Sequence, residues 1–153
     1  MRLWQIREIK GERHVGRVQP NGIERGVSLT DFLDVGLWIV QALLAVVFLL
    51  AGAMHAFRYE AAKKNLPWVK DLPRGVVMLD GAVEILGALG VILPRLTSIL
   101  PVLTPLAAAG LALIMAVAIF LHARRKEYSA IGLTGLLFLM AAFVAYGRWF
   151  LVP

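Results

Sequence analysis

Four long apolar stretches constrain the fold of this chain more than any other feature of its sequence. They cover residues 35–57, 75–93, 98–121 and 129–152. A helix needs about 17–25 predominantly apolar residues to cross the hydrocarbon core of a bilayer, and each stretch has this length. Because the connections between consecutive stretches are short, we predict an all-α fold, a membrane-embedded, up-and-down bundle of four helices.

The composition supports a membrane environment and excludes several chemistries. Hydrophobic residues make up 59% of the chain and charged residues 17%, whereas a soluble domain is typically about 45–50% apolar and about 25% charged. The chain has no cysteine, so disulfides, thiolate catalysis and iron–sulfur clusters are excluded. The net charge is +6, and the basic residues lie in the N-terminal tail and between the apolar stretches. Anionic lipid headgroups, rather than nucleic acid, are therefore the expected partner.

The N-terminal region differs from the rest of the chain. It is polar and basic, with scattered glycines and no helical pattern. We predict a disordered tail over residues 1–34 and a four-helix domain over residues 35–152. No apolar segment typical of a signal peptide precedes a cleavage site. We also hypothesise that translation starts near Val27. Sequencing the N terminus of the natively expressed protein tests this hypothesis, because Met1 or Arg2 at the terminus would contradict it.

The connections predict an orientation in the membrane. Residues 58–74 and 122–128 are short and basic, and such loops generally face the cytoplasm. We therefore expect both connections on the cytoplasmic side and both chain termini outside. Arg148, near the end of the fourth stretch, is expected to extend its guanidinium to the interface. The expected location is the cell membrane, as for a multi-pass protein of a bacterial inner membrane.

Two carboxylates interrupt the second apolar stretch. A charged side chain within hydrocarbon costs about 2.5–3.5 kcal/mol on insertion scales, so an acid there is a candidate for function. Asp80 and Glu84 are four residues apart and therefore share one helix face. With a rise of about 1.5 Å per residue, Glu84 lies roughly 15 Å from either end of its helix. It is expected near the middle of the membrane, with Asp80 nearer one end.

Each acid has an expected partner. We predict that Asp80 pairs with Arg58 or His55, which the up-and-down topology brings to the same end of the bundle. Burial disfavours a charged carboxylate, so a neutral Glu84 would donate a hydrogen bond to Gln41 or to a ligand carbonyl such as that of a quinone. The alternative for Glu84 is a hydrogen bond between helices that serves no ligand.

These considerations predict a small polar pocket. Its candidate residues are Glu84, Asp80, Gln41, His55, Arg58 and His122. The simpler interpretation of the two histidines is that each ends its helix at the headgroups and has no further role. Two histidines on alternate helices also fit bis-histidine haem ligation, but His122 precedes a basic loop and lies too shallow for it. No phosphate loop, dinucleotide fingerprint, nucleophile elbow or metal-ligand motif occurs. We therefore predict no metal site and assign no catalytic residue.

Several short motifs occur in an order typical of one family. They are LAGAM at 50–54, LPWVKDLPRG at 66–75, GAVEILGALGVILP at 81–94, LTPLAAAGLAL at 103–113, HARRKEY at 122–128 and AYGR at 145–148. Over about residues 36–149, the chain resembles the DoxX-like family of small four-helix membrane proteins. The family's recurrent glutamate falls on Glu84 and its recurrent histidine on His122. His55 stands where the family commonly has a lysine.

The resemblance implies a membrane location and a role in a larger complex. The family takes its name from a subunit of a thiosulfate:quinone oxidoreductase, and other relatives belong to redox or chaperone-like complexes. We therefore expect an accessory subunit of a quinone-linked membrane redox complex rather than a stand-alone enzyme. The expected partners are the lipid bilayer, a redox-enzyme subunit and further copies of the chain, and the expected cofactor is a quinone. The alternatives are a non-enzymatic chaperone or assembly factor, and a small-molecule or proton transporter.

Overall fold

The computed structural model describes residues 28–153 of the chain. Its five α-helices are α1 (Leu29–Phe57), α2 (Tyr59–Asn65), α3 (Arg74–Leu96), α4 (Leu103–Arg125) and α5 (Tyr128–Tyr146). A 3-10 turn (Pro67–Asp71) separates α2 from α3, and a turn of π-helix (Gly147–Leu151) extends α5. No strand occurs among residues 28–153, and the predicted all-α bundle is confirmed. Of the predicted disordered tail, residues 1–27 lie outside those described, as does the hypothesised start near Val27, whereas residues 29–34 are helical.

The first helix is longer than its apolar stretch because a capping box precedes that stretch. α1 begins at Leu29 rather than at the predicted Val35. Ser28 Oγ accepts a hydrogen bond from Asp31 N at 3.3 Å, and Asp31 Oδ2 accepts one from Ser28 N at 2.8 Å. This reciprocal pair satisfies backbone donors that a helix start otherwise leaves without partners. The last residues of the predicted tail therefore belong to α1.

The end of α3 also differs from the prediction. The predicted stretch ends at residue 93, but α3 continues through Pro94 to Leu96. A proline removes one backbone donor, and here the loss falls in the last turns of the helix. Thr97 caps the C-terminal end of the helix. It donates two hydrogen bonds to Leu93 O, one from its backbone N at 2.9 Å and one from its Oγ1 at 2.7 Å.

The start of α4 lies later than predicted. The apolar stretch begins at Ser98, but Ser98 and Leu100 have left-handed φ angles of 58° and 49°. Such angles interrupt a right-handed helix, so α4 begins only at Leu103. Pro105 then lies in the first turn of α4, where the backbone N–H groups have no partner within the helix. The proline therefore costs this helix no hydrogen bond.

The four long helices form a ring. α3 packs against α1 and α4, α5 packs against α4, and α5 with the following π turn closes the ring more loosely on α1. Side chains from all four helices fill the centre, among them Leu37, Phe48, Ala88, Leu111 and Val144. The outward faces are lined by exposed leucine, valine, isoleucine and phenylalanine side chains. Each long helix, the last taken together with its π turn, is long and apolar enough to cross a bilayer.

Residues 58–73, here called the cap, fold over one end of the bundle. The sequence predicted a basic loop in this region, but it contains α2 and the 3-10 turn. Ala62 and Val69 of the cap are buried against Val77 of α3. At its outer edge, Asp71 Oδ2 lies 2.6 Å from Arg125 Nη1 at the end of α4. The cap therefore covers the end of α1 and the first turns of α3.

Candidate ligand-binding site

The helices α1 and α3 cross so closely that their backbones touch. A Cβ atom on Gly52 would lie 2.6 Å from Gly81 O, and one on Gly81 would lie 2.5 Å from Ala56 N. Backbone atoms have no rotamers by which to move away, so neither position has room for a larger residue. Side chains about one turn beyond the contact can then meet directly, and the crossing brings His55 of α1 against Glu84 of α3.

A polar cluster lies beside this crossing. It consists of His55, Asp80 and Glu84 and is here called the cap-side cluster. His55 Nδ1 lies 2.8 Å from Glu84 Oε2 and 3.5 Å from Asp80 Oδ2. The side chains of His55 and Glu84 are only 7% and 6% exposed, whereas that of Asp80 is 32% exposed. One imidazole nitrogen therefore bridges a buried carboxylate and a carboxylate near the surface. Of the two predicted partners of Asp80, the structure brings His55 to it.

The cap shields this cluster. The Trp68 indole packs edge-on against the His55 imidazole, with ring centroids 5.1 Å apart and an interplanar angle of 82°. Glu84 lies near the middle of α3, as the sequence predicted, but it is level with the last turn of α1 because α1 ends at Phe57. The partner of Glu84 is therefore His55, beneath the cap, rather than the expected Gln41.

Gln41 does not reach Glu84, contrary to the prediction. It lies about 21 Å from His55 along α1. Gln41 Nε2 donates a hydrogen bond to Val91 O at 2.5 Å, and Gln41 Oε1 accepts one from Arg148 Nε at 2.6 Å. The prediction was wrong because Glu84 already faces the end of α1, about four turns away from Gln41.

A second cluster, here called the far-side cluster, contains the buried Gln41 and Arg148 and the partly exposed Asp34. The Arg148 guanidinium also donates a hydrogen bond to Asp34 Oδ1 and lies 5.3 Å from the centre of the Trp38 ring. The Arg148 side chain is 0% exposed. The prediction that it extends to the membrane interface was therefore wrong. The π turn after α5 carries it inward, where Asp34 supplies the opposite charge. The cluster therefore joins α1, α3 and the end of the bundle's last helix.

The two remaining candidates lie apart from both clusters. Arg58 is exposed at the start of the cap, where it lines a hollow of about 330 Å³ together with Arg74. His122 is buried in α4, and its Nδ1 lies 2.6 Å from Glu127 Oε2. The structure therefore brings together only His55, Asp80 and Glu84 of the six predicted pocket residues.

An apolar groove opens between α3 and α4. Its volume is about 400 Å³, and its lining includes Val83, Leu86, Gly87, Ala107 and Leu111. Glu84 lines neither this groove nor the hollow at Arg58, because its side chain faces α1. A ligand of Glu84 would therefore enter beneath the cap or displace the imidazole of His55.

Comparison with known families identifies the bundle. The sequence profile of the DoxX-like family matches residues 39–144. The chain belongs to the DoxX-like family. No curated protein and no solved structure matches it. The matched region of this DoxX-like protein contains the whole cap-side cluster, whereas Asp34 and Arg148 of the far-side cluster lie outside it.

Family membership and helix composition together define the setting of the cluster. The predicted resemblance to the DoxX-like family is confirmed, and the four apolar helices make this DoxX-like protein a multi-pass membrane protein. The cap-side cluster therefore lies within a membrane-spanning bundle, near one of its ends. Polar groups in that setting are costly unless they are paired or have a ligand.

The cap-side cluster can perform more chemistry than the far-side cluster. An imidazole and a carboxylate exchange protons readily, and both are metal ligands. Glu84 Oε1 and His55 Nε2 make no hydrogen bond with residues 28–153, so each has bonding capacity left for a ligand. Arg148 and Gln41, by contrast, already contact Asp34 and the backbone of α3. Sequence reasoning identified both acids but missed that they share one imidazole, because the three residues form no motif of recognised spacing.

Proposed function

We propose that this DoxX-like protein is an accessory subunit of a quinone-linked redox complex in a bacterial cell membrane, and that its cap-side cluster binds the quinone headgroup. The observation that carries the proposal is the buried 2.8 Å contact between His55 Nδ1 and Glu84 Oε2. A quinone takes up protons when it is reduced and releases them when it is oxidised. A paired imidazole and carboxylate can hold its oxygens by hydrogen bonds and exchange these protons.

The electrons in this proposal come from a partner subunit. The chain has no cysteine, and the side chains of the cap-side cluster do not change oxidation state under physiological conditions. The DoxX-like protein would therefore orient the ring and exchange protons, while a redox-active partner transfers the electrons. This division of roles is the reason for proposing an accessory subunit rather than a stand-alone enzyme.

The surroundings of the cluster support a flat ligand with an apolar tail. The Trp68 indole provides an aromatic surface beside His55. The groove between α3 and α4 is separate from the cluster, because Glu84 faces α1. An isoprenoid tail would instead lie against the exposed apolar side chains of the helices, where dispersion contacts stabilise apolar surface.

The interior between the two clusters favours this proposal over a proton transporter. Phe48 of α1 and Ala88 of α3 lie between the cap-side cluster and the Gln41 contact with Val91. Both side chains are apolar and 1% exposed. They interrupt the row of polar groups that a proton would need to follow across the bundle.

The variant Glu84→Gln tests the proposal. It keeps the shape of the side chain but removes its ability to carry charge. A hydrogen bond to a charged group contributes about 1.5–3 kcal/mol, so we expect the quinone retained after mild detergent extraction to fall about 10- to 100-fold. The partner subunits should stay attached. Extraction of the purified complex followed by chromatography measures the quinone. Glu60→Gln, which changes an exposed carboxylate of the cap, is the matched control and should leave the quinone content unchanged.

Two outcomes would contradict this function. An unchanged quinone content in Glu84→Gln would show that the cluster does not bind the headgroup. Co-purification with newly made proteins that dissociate after they mature, and with no stable redox subunit, would instead support an assembly factor. Mass spectrometry of the proteins retained with the tagged chain distinguishes these cases.

A further inference from the structure

We propose that His55, Asp80 and Glu84 form a binding site for a divalent transition-metal ion, with Zn²⁺ preferred over Mn²⁺ and Mg²⁺. This inference goes beyond the proposed function and does not depend on it. One ligand atom of each residue lies within 4.8 Å of those of the other two. An imidazole nitrogen and carboxylate oxygens are among the ordinary ligands of zinc in proteins.

The distances in the cluster suit a small metal ion. With ligand distances of about 2.0–2.1 Å, a tetrahedral zinc site places its ligand atoms roughly 3.3 Å apart. His55 Nδ1 lies 2.8 Å from Glu84 Oε2 and 3.5 Å from Asp80 Oδ2. These two distances bracket the required spacing, and the ligand oxygens of Asp80 and Glu84 lie within 4.8 Å of each other. Side-chain rotations would therefore bring the three ligand atoms to the spacing of a zinc site.

The charge of the cluster also favours a cation. The cluster holds two carboxylates for one imidazole, and a divalent ion can be ligated by all three groups. Within residues 28–153, no lysine or arginine forms an ion pair with Asp80 or Glu84. No basic side chain therefore occupies the position that a metal ion would take.

The ligand types select among the available ions. Mg²⁺ and Ca²⁺ prefer oxygen ligands and about six or more of them, and Cu(I) prefers sulfur ligands. A mixed nitrogen and oxygen site binds first-row divalent ions, with affinity that is lowest for Mn²⁺, rises to Cu²⁺ and is lower again for Zn²⁺. Three protein ligands leave one zinc coordination position open for water or a ligand. The Asp80 side chain, 32% exposed, offers the ion a route from the aqueous edge.

Zinc titration of the full-length protein in detergent, with any affinity tag removed, tests this site directly. Calorimetry should show one high-affinity Zn²⁺ per chain, and Co²⁺ should bind with a visible absorption band typical of tetrahedral coordination. Excess Mg²⁺ should not compete. Loss of a partner that merely orients a ligand costs about 10–100-fold in metal affinity. We therefore expect Glu84→Gln and Asp80→Asn each to weaken Zn²⁺ binding at least tenfold.

The chain provides a matched control. His122 and Glu127 form a second imidazole–carboxylate contact of 2.6 Å, to which residues 28–153 add no third ligand, so His122→Asn should leave the Zn²⁺ affinity unchanged. The inference is overturned if the wild-type protein shows no saturable binding, or if His122→Asn weakens binding as much as the cluster variants do. Asp80→Asn keeps the test decisive if Glu84→Gln does not fold, because Asp80 is partly exposed. Zinc is measured here without quinone, so failure of this inference and failure of the proposed function are separate results.

Discussion

The two buried polar clusters lie toward opposite ends of the same helix pair and differ in how their charges are balanced. In the far-side cluster, the guanidinium of Arg148 contacts a carboxylate and an amide, and the amide in turn contacts the backbone of α3. In the cap-side cluster, two carboxylates share one nitrogen of His55. The first arrangement joins three parts of the chain, whereas the second has two carboxylates for one imidazole and, among residues 28–153, no lysine or arginine paired with them.

This difference shows why burial of a polar group is not by itself a sign of function. Arg148 is more deeply buried than Asp80, and its Nη2 has no hydrogen-bond partner within residues 28–153. That nitrogen is nevertheless enclosed, so no ligand reaches it. Asp80 is partly exposed and lies next to groups with unused bonding capacity. We infer that the far-side cluster stabilises the bundle and that the cap-side cluster binds ligands.

Arg148→Ala should have the largest effect on stability. Its removal would leave the buried Gln41 Oε1 without its donor, whereas Asp34 would keep Arg95, whose Nη2 lies 3.9 Å from Asp34 Oδ1. Breaking a buried ion pair costs about 3–5 kcal/mol. Because Asp34 is 38% exposed and retains Arg95, we expect a smaller loss of about 2–3 kcal/mol. Unfolding in mixed detergent with increasing dodecyl sulfate measures the free energy of unfolding. The Zn²⁺ affinity of the folded protein should be unchanged.

The control for this variant is Arg124→Ala. Arg124 is exposed, and its guanidinium lies 4.7 Å from the centre of the Phe120 ring. Such an exposed contact contributes about 0.5–1 kcal/mol, so the control should lose much less stability than Arg148→Ala. If Arg148→Ala kept the stability of the wild-type protein but lost Zn²⁺ binding, the division between a structural and a ligand-binding cluster would be wrong.

Gly81→Ala should affect stability and ligand binding together. The new methyl group would meet the backbone of α1, and overpacking of this kind costs about 1–3 kcal/mol. Separation of α1 from α3 would also move His55 away from Glu84, so the Zn²⁺ affinity should fall. Gly132→Ala is the control, because nothing lies within 4 Å of a Cβ atom there. Retained Zn²⁺ affinity in Gly81→Ala would show that the crossing does not position the cluster.

The sequence was sufficient to predict the helices and the importance of the acids. Long apolar stretches have few alternatives to membrane-spanning helices, and acids within them are conspicuous because they are costly. The helix limits were less accurate, because they depend on local features such as the Ser28 capping box and the left-handed φ angle of Ser98. These features act outside or at the edge of the apolar pattern that defined the stretches.

The partners of the buried polar groups were harder to predict. Which side chains meet depends on how α1 and α3 are placed along each other, and the contact between Gly52 and Gly81 fixes that placement. The sequence contains 14 glycines, and nothing in their spacing distinguishes this pair. The burial of Arg148 likewise depends on the π turn, which no periodic pattern in the sequence predicts.

Arg125→Ala should have the smallest effect on stability, but it should make the cap more mobile. The side chains of its ion pair with Asp71 are 28% and 62% exposed, and exposed pairs contribute about 0–1 kcal/mol. The free energy of unfolding should therefore change little. The cap, however, would lose its contact with α4, so its backbone amides should exchange hydrogen faster and Zn²⁺ should associate faster.

Lys70→Ala, at an exposed cap position, is the control and should change neither rate. A loss of stability well above 1 kcal/mol in Arg125→Ala would show that the cap is part of the rigid bundle, and the contrast between a fixed far side and an adjustable cap side would then fail.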